Sequence, residues 1–309
     1  MALWYILKKV ASGIIVVFAV SILLFLFMHL LPADPITLLT AGQRVSQQRL
    51  AELRGSWGLD QPLQVQYFYW LSHIVQGDFG TSYVVKLPVS DVVFPRIPLT
   101  LLITLPSLII SYVLGLAIGV VAALKRDTLL ERLTMGSSIF LYSIPEYWLG
   151  AVLMLVLGFY LGIFPISGYG TVNHLIMPIL TLSLPSIAIF ARLTRTEVLE
   201  VIREDYVRTA SAKGLPARVV ILRHILRNAL ISVTVLFFLY LPWTIGGAVI
   251  VETIFAYPGM GNLLYHSILL QDYTVVLAII FIITILTVIS NTVGDILTAI
   301  IDPRVGLEG

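Results

Sequence analysis

Residues 98–124 read PLTLLITLPSLIISYVLGLAIGVVAAL, with no formal charge between Arg96 and Lys125. About 20 apolar residues cross the hydrocarbon core of a bilayer as a helix, and this stretch exceeds that length. It lacks the strict alternation of a membrane barrel strand, so a helix is the expected element. Five further stretches of the same kind lie on either side. Segments 10–31, 171–191 and 228–251 carry no formal charge, 135–161 contains only Glu146, and Tyr273–Ile301 contains only Asp295 near its end. The expected fold class is an all-α integral membrane protein with six transmembrane helices and a small outer subdomain.

Composition agrees. Of 309 residues, 58% are hydrophobic and 12% charged, against roughly 25% charged in a soluble domain. A net charge of +2 gives no basic field that would suggest nucleic acid as a partner. Cysteine is absent, which excludes disulfides, thiolate metal sites and a cysteine nucleophile. His29, His73, His174, His224 and His266 are scattered over different segments, so no metal site follows from spacing. No Gly-x-x-x-x-Gly-Lys-Ser/Thr loop and no His-Glu-x-x-His pair occurs, and Ser267 beside His266 is an ordinary neighbour. No catalytic residue is assigned. A stand-alone channel or ion-coupled carrier would need several intramembrane ionisable groups, whereas only Glu146 and Asp295 are present.

The first run follows Lys8 and Lys9, as in a signal peptide. It is about twice the length of an apolar signal core, and no small-residue cleavage site follows it, so a retained helix is expected. Positive residues fix the direction. With the N-terminus in the cytoplasm, the inner segments hold Lys8, Lys9, Lys125, Arg126, Arg132, eight basic residues from Arg192 to Arg227, and Arg304. Outer segments 162–170 and 252–272 hold none. The expected organisation is a cytoplasmic N-terminus and first helix over 1–31, an extracytoplasmic loop subdomain over 32–97, and a five-helix core over 98–301. A cytoplasmic tail follows over 302–309. Within 32–97, Leu63, Tyr67, Trp70, Leu71 and Ile74 recur at helical spacing, which predicts a short amphipathic helix; lipid contact at the interface is the competing reading. Gly77-Asp78-Phe79-Gly80 reads as a turn.

The inner segment 192–227 is the informative one. Glu204-Asp205 suits a helix start, because acids complement the N-terminal end of the backbone dipole. Tyr206, Ala210 and Lys213 follow at helical spacing, and Gly214-Leu215-Pro216 stops the helix. Residues 217–226 read as a second helix with Arg218, Arg223 and Arg227 around it. The residues alone leave open a partner-docking helix pair, a basic helix on anionic lipid and a solvated loop. A DNA-binding helix–turn–helix is disfavoured, because both ends are tethered to membrane spans.

Glu204-Asp205-Tyr206-Val207-Arg208-Thr209-Ala210-Ser211-Ala212-Lys213-Gly214-Leu215 resembles the cytoplasmic signature loop of binding-protein-dependent ABC importer permeases. Arg223-His224-Ile225-Leu226-Arg227-Asn228-Ala229-Leu230 and Gly246 through Gly261 resemble the peptide/nickel branch of that family. So do Gly58-Leu59-Asp60-Gln61-Pro62, Gly77-Asp78-Phe79-Gly80-Thr81-Ser82 and Asp302-Pro303-Arg304. Arg208-Thr209-Ala210 stand where the generic loop has Glu-Ala-Ala, while its glycine is matched by Gly214. Arg227 stands where a proline is common.

The resemblance implies a type I importer permease of the bacterial inner membrane, multi-pass with both termini cytoplasmic. The implied partners are a second homologous permease chain, two cytoplasmic ATPase subunits, an extracytoplasmic solute-binding protein and membrane lipid. ATP and Mg are expected in the ATPase subunits, with no cofactor bound by this chain. Glu204, Asp205, Tyr206, Arg208, Thr209, Ala210, Lys213, Gly214 and Leu215 are the implied coupling residues. The expected substrates are di- and oligopeptides, with nickel or another metal chelate as the alternative. Glu146, with Tyr142 and Trp243, is the candidate lining of the translocation path; a purely structural carboxyl is the competing reading for Glu146. Asn291 and Asp295 are read as structural. Pro106, Pro145, Pro178, Pro185 and Pro242 suggest kinks.

Overall fold

The computed structural model describes residues 2–30 and 60–301. Trp57-Gly58-Leu59 and Asp302-Pro303-Arg304 lie outside the described residues. The helices run in the order α1 (Ala2–Leu30), α2 (Leu63–Val75), α3 (Val89–Leu124), α4 (Leu129–Ser143) and α5 (Glu146–Tyr160). They continue with α6 (Asn173–Ile202), α7 (Asp205–Ala212), α8 (Ala217–Ile254), α9 (Met260–Leu269) and α10 (Tyr273–Ile301). Five of these, α1, α3, α6, α8 and α10, are long and apolar enough to cross a membrane, and α4 with α5 makes a sixth span if the bent pair counts as one. Among the described residues, extended pairing is limited to a single bridge between Thr81 and Pro88.

The centre of the bundle is the seam between α3 and α6. Ser107, Ser111, Gly115 and Gly119 recur every four residues along α3 and are buried. A side chain on Gly115 would strike Phe190, and one on Gly119 would strike the Ala191 carbonyl and Thr194. Ser111 Oγ donates to the Ser183 carbonyl at 3.1 Å. Small residues at this spacing let two helix backbones approach closely, which is how dispersion holds helices together when lipid removes the hydrophobic driving force.

Three sequence expectations need correction. The third span, read as one helix over 135–161 with a kink suggested at Pro145, is broken outright there: α4 and α5 are bent by 100° at Ile144-Pro145. Proline disfavours helical torsions in the residue before it, and Ile144 is accordingly extended, at φ −80° and ψ 125°. The other prolines inside helices, Pro106, Pro178, Pro185 and Pro242, interrupt none of them. The segment 217–226, read as a separate helix, is the beginning of α8 and continues into the span through a π-helical stretch, Val220–Leu226. No breaker lies between Ala217 and Pro242, and Val220 and Ile225 supply a buried face. Likewise α6 runs to Ile202, eleven residues past the expected end at 191. The excursion between spans is therefore only 203–216.

At the opposite end of the bundle, α2 forms where the apolar spacing places it. It is wedged between α1 and α10 rather than resting free: Ile74 packs with Leu24, Leu277 and Phe281. Ser21 Oγ and the Tyr67 hydroxyl share a buried hydrogen bond of 2.7 Å, and the Tyr67 ring meets Phe25 edge-on at 5.4 Å. Near the other end of α1, Lys9 Nζ lies 2.9 Å from Asp295 of α10.

Candidate functional site

Three places carry polar chemistry beyond what packing requires. The first is α7. Helix α6 ends at Ile202, Glu204 is extended at ψ 142°, and its carbonyl accepts from the Val207 and Arg208 amides at 3.0 and 3.2 Å. At the other end Gly214 has φ +76°, a left-handed cap that glycine adopts without side-chain strain. Two residues of the helix are buried. Val207 and Ala210 are buried with Ala123, Val198, Val220, Ile225 and Ala229. Everything else from Arg203 to Val219 is exposed. Thus Glu204, Asp205, Tyr206, Arg208, Thr209, Lys213, Gly214 and Leu215 form one accessible surface, while Ala210 is part of its anchor. Tyr206 accepts a hydrogen bond from Asn228 Nδ2 at 2.9 Å. Arg208 lies 3.7 Å from Asp205, with both side chains largely in solvent, a geometry usually worth under about 1 kcal/mol.

The second place is the break at Pro145. Glu146 starts α5, half-buried, and its Oε2 lies 3.0 Å from where a side chain on Gly247 of α8 would begin. Tyr142 and Trp243 are 55% and 67% exposed. Trp243, Gly247 and Tyr240 share one helical face by their spacing, and the Tyr240 ring packs on Phe190 at 5.8 Å. The broken span thus sets a carboxylate against the small-residue surface of α8, with exposed aromatic groups beside it.

Sequence reading gave the third place no role. It ended the fifth span at Val251, whereas α8 continues through Glu252, which is fully buried. The Glu252 carboxylate accepts from Thr100 Oγ1 at 2.6 Å, from the Gly261 amide at 2.6 Å and from the Asn262 amide at 3.0 Å. It caps the N-terminus of α9 from a neighbouring helix, where amides converge and the dipole favours an anion. Thr100 Oγ1 in turn accepts from the Met260 amide at 2.8 Å, and Arg96 donates to the Pro258 carbonyl at 2.9 Å. Gly259 and Gly261 leave no room for a side chain beside this carboxylate. The readable signal was an acid at the end of an apolar run, followed by Pro258-Gly259-Met260-Gly261. Asp272, also buried, accepts from Ser82 Oγ at 2.5 Å and from Thr274 Oγ1 at 2.9 Å.

Glu131 was missed as well. Thr128-Leu129-Leu130-Glu131 is a capping box: Thr128 Oγ1 accepts from the Glu131 amide at 3.4 Å, and Glu131 Oε2 accepts from the Asp127 amide at 2.5 Å. The same carboxylate accepts from Arg195 Nε at 2.6 Å, tying α4 to α6.

Residues 115–307 match the family described as "Binding-protein-dependent transport system inner membrane component", and residues 2–104 match the N-terminal component of such systems. The chain belongs to this family. It is 40% identical over 301 residues to the glutathione transport system permease protein GsiC of Salmonella typhimurium, covering 97% of this chain and 98% of that one. It is 38% identical over 312 residues to the oligopeptide transport system permease protein AppB of Bacillus subtilis, with the same coverage. Among solved structures, the inward-facing MetNI methionine ABC transporter superposes with a TM-score of 0.60. That match covers 68% of this chain and 96% of that one at 20% identity, a likeness of fold. The chain is thus an ABC importer permease of the type I fold, a multi-pass membrane protein, and its resemblance to the peptide branch holds.

Proposed function

We propose that this permease carries di- or oligopeptides, glutathione-like peptides among them, into the cell. The observation behind this reading is 38–40% identity, over nearly the full length, to permeases named for glutathione and oligopeptides; those names favour peptides over a nickel chelate. The chain forms half of the path and a second homologous permease the other half. A solute-binding protein delivers the substrate. Two ATPase subunits supply the ATP and Mg chemistry, and α7 docks on one of them. ATP closes the ATPase pair, and the membrane helices then exchange inward- and outward-facing arrangements as rigid bodies. Glu146, Tyr142 and Trp243 line the path, because a carboxylate against lipid costs roughly 2.5–3.5 kcal/mol and no described residue donates a hydrogen bond to this one.

Cells carrying the complete importer should accumulate labelled dipeptide or glutathione. In the same assay Glu146→Gln should change rate or preference without loss of the assembled complex. Accumulation of chelated nickel alone would overturn the peptide assignment.

In this reading α7 and both termini face the cytoplasm, and α2 and α9 face outward. Because the chain has no cysteine, single cysteines report cleanly. Ser72→Cys should react with an impermeant maleimide on intact cells and Ser211→Cys only after lysis; the reverse pattern inverts the topology.

A further inference from the structure

Between α4 and α6, at the end of the bundle that carries α7, lies a cavity of about 430 Å³. Arg132, Arg192 and Arg195 line it together with Asp127 and Glu131, and Met135, Ile139 and Thr196 complete the lining. Glu131 neutralises Arg195. Asp127 faces Arg126 at 3.4 Å. Arg132 and Arg192 are exposed, and neither has an ion-pair partner among the described residues. Two planar guanidinium groups with unused donors therefore converge on one hollow.

The floor of the hollow decides what kind of anion it suits. Arg132, Met135 and Ile139 follow one another at i, i+3 and i+7, so they lie on one face of α4. Since α4 starts at this end of the bundle, Ile139 lies roughly 10 Å deeper than Arg132 along the helix. Arg132 lies near the start of α4, Arg192 lies about one turn deeper than the Arg195–Glu131 pair because α6 runs toward this end, and the apolar strip of α4 continues past both toward the bilayer interior. A free phosphate or a soluble carboxylate would leave that apolar strip unused. A phospholipid fills both parts, with the phosphodiester on the guanidinium pair and an acyl chain along Met135 and Ile139. Arginine forks suit phosphate oxygens bidentately, and basic pockets between membrane helices on the cytoplasmic side take anionic headgroups.

We infer that this cleft is a binding site for an anionic phospholipid, with phosphatidylglycerol as the simplest fit. The site bridges α4 and α6, and α6 leads directly into α7, so an occupant braces the helix on which the docking element hangs.

The test uses the purified importer complex in detergent, with phosphatidylglycerol or phosphatidylcholine added, read by native mass spectrometry. Wild type should retain phosphatidylglycerol in preference to phosphatidylcholine. Retention should weaken about fivefold for each arginine removed in Arg132→Gln and Arg192→Gln. Arg195 is left intact because it holds Glu131. Arg203→Gln, an exposed arginine outside the cleft, should bind as wild type does. Three results overturn the site: equal retention of the two lipids by wild type, unchanged phosphatidylglycerol on the double variant, or displacement of the lipid by inorganic phosphate alone. If the arginines are covered by an acidic ATPase surface instead, the double variant will shed ATPase subunits with no change in lipid, which also refutes the proposal.

Discussion

Gly214→Val is expected to insert into the membrane and assemble, yet to lose most substrate uptake, with ATP hydrolysis uncoupled from transport or absent. The reason is conformational and not steric. A side chain at Gly214 would meet nothing within 4 Å, so there is space for one. The obstacle is φ +76°, a region that a β-branched residue adopts only with strain of roughly 1–3 kcal/mol. The strain must be relieved somewhere, and the weakest attachment nearby is that of α7. Only Val207 and Ala210 bury it, and burying a valine stabilises by about 1.5–3 kcal/mol. Strain and anchorage are thus comparable, and α7 tilts or lifts while the spans remain folded.

Gly214→Asn separates this account from a simple volume effect. Asparagine tolerates left-handed torsions better than other non-glycine residues and should retain a substantial share of uptake. Arg208→Ala should be milder still, because its ion pair is long and exposed. Reconstituted vesicles in which uptake and ATP hydrolysis are measured together decide the matter: wild-type coupling in Gly214→Val sinks the proposed role of α7.

That Gly214 caps a helix was legible in the sequence, because glycine followed by Leu215-Pro216 can hardly do anything else. The same holds for α2, whose apolar spacing survives as the face packed on α1 and α10, and for the runs that make the spans. Hydropathy reads composition along the chain but not direction, so it could not show that α4 and α5 meet at 100°. Nor does it mark where a helix ends once it leaves the apolar zone. Arg192 through Ile202 contains good helix formers and no breaker, and α6 simply continues. The α3–α6 seam was hidden for another reason. Ser107, Ser111, Gly115 and Gly119 are unremarkable by hydropathy, and their value is set by Ser183, Phe190 and Ala191 on a different helix. Glu252 is the sharpest case. Its hydrogen-bond partner Thr100 lies 152 residues earlier in the chain, so the sequence displays an acid at the end of an apolar run without showing what it holds.

Glu252→Ala removes the acceptor for Thr100 Oγ1 and for the Gly261 and Asn262 amides at a fully buried position. A buried donor left without a partner costs about 1–3 kcal/mol, and breaking a buried charged network typically costs about 3–5 kcal/mol. Gly259 and Gly261 close directly on the carboxylate, so its removal also leaves a cavity beside them. The segment around Pro258 should then loosen against α3, held there by the Met260 amide donating to Thr100 Oγ1 at 2.8 Å, the Arg96 contact to the Pro258 carbonyl and the Tyr257 hydroxyl donating to Leu99 O at 2.9 Å. Glu252→Gln should be less damaging. Its amide oxygen can still accept from both α9 amides, while its amino group must face Thr100, whose hydroxyl oxygen already accepts from Met260. The expected order of thermal stability for the detergent-solubilised importer is wild type, then Gln, then Ala, with the Ala complex losing subunits on purification. Coincident melting of wild type and Glu252→Ala would show that the carboxylate does not hold α9 in place. A Gln variant less stable than Ala would show that the amide cannot be accommodated against Thr100 in the way described.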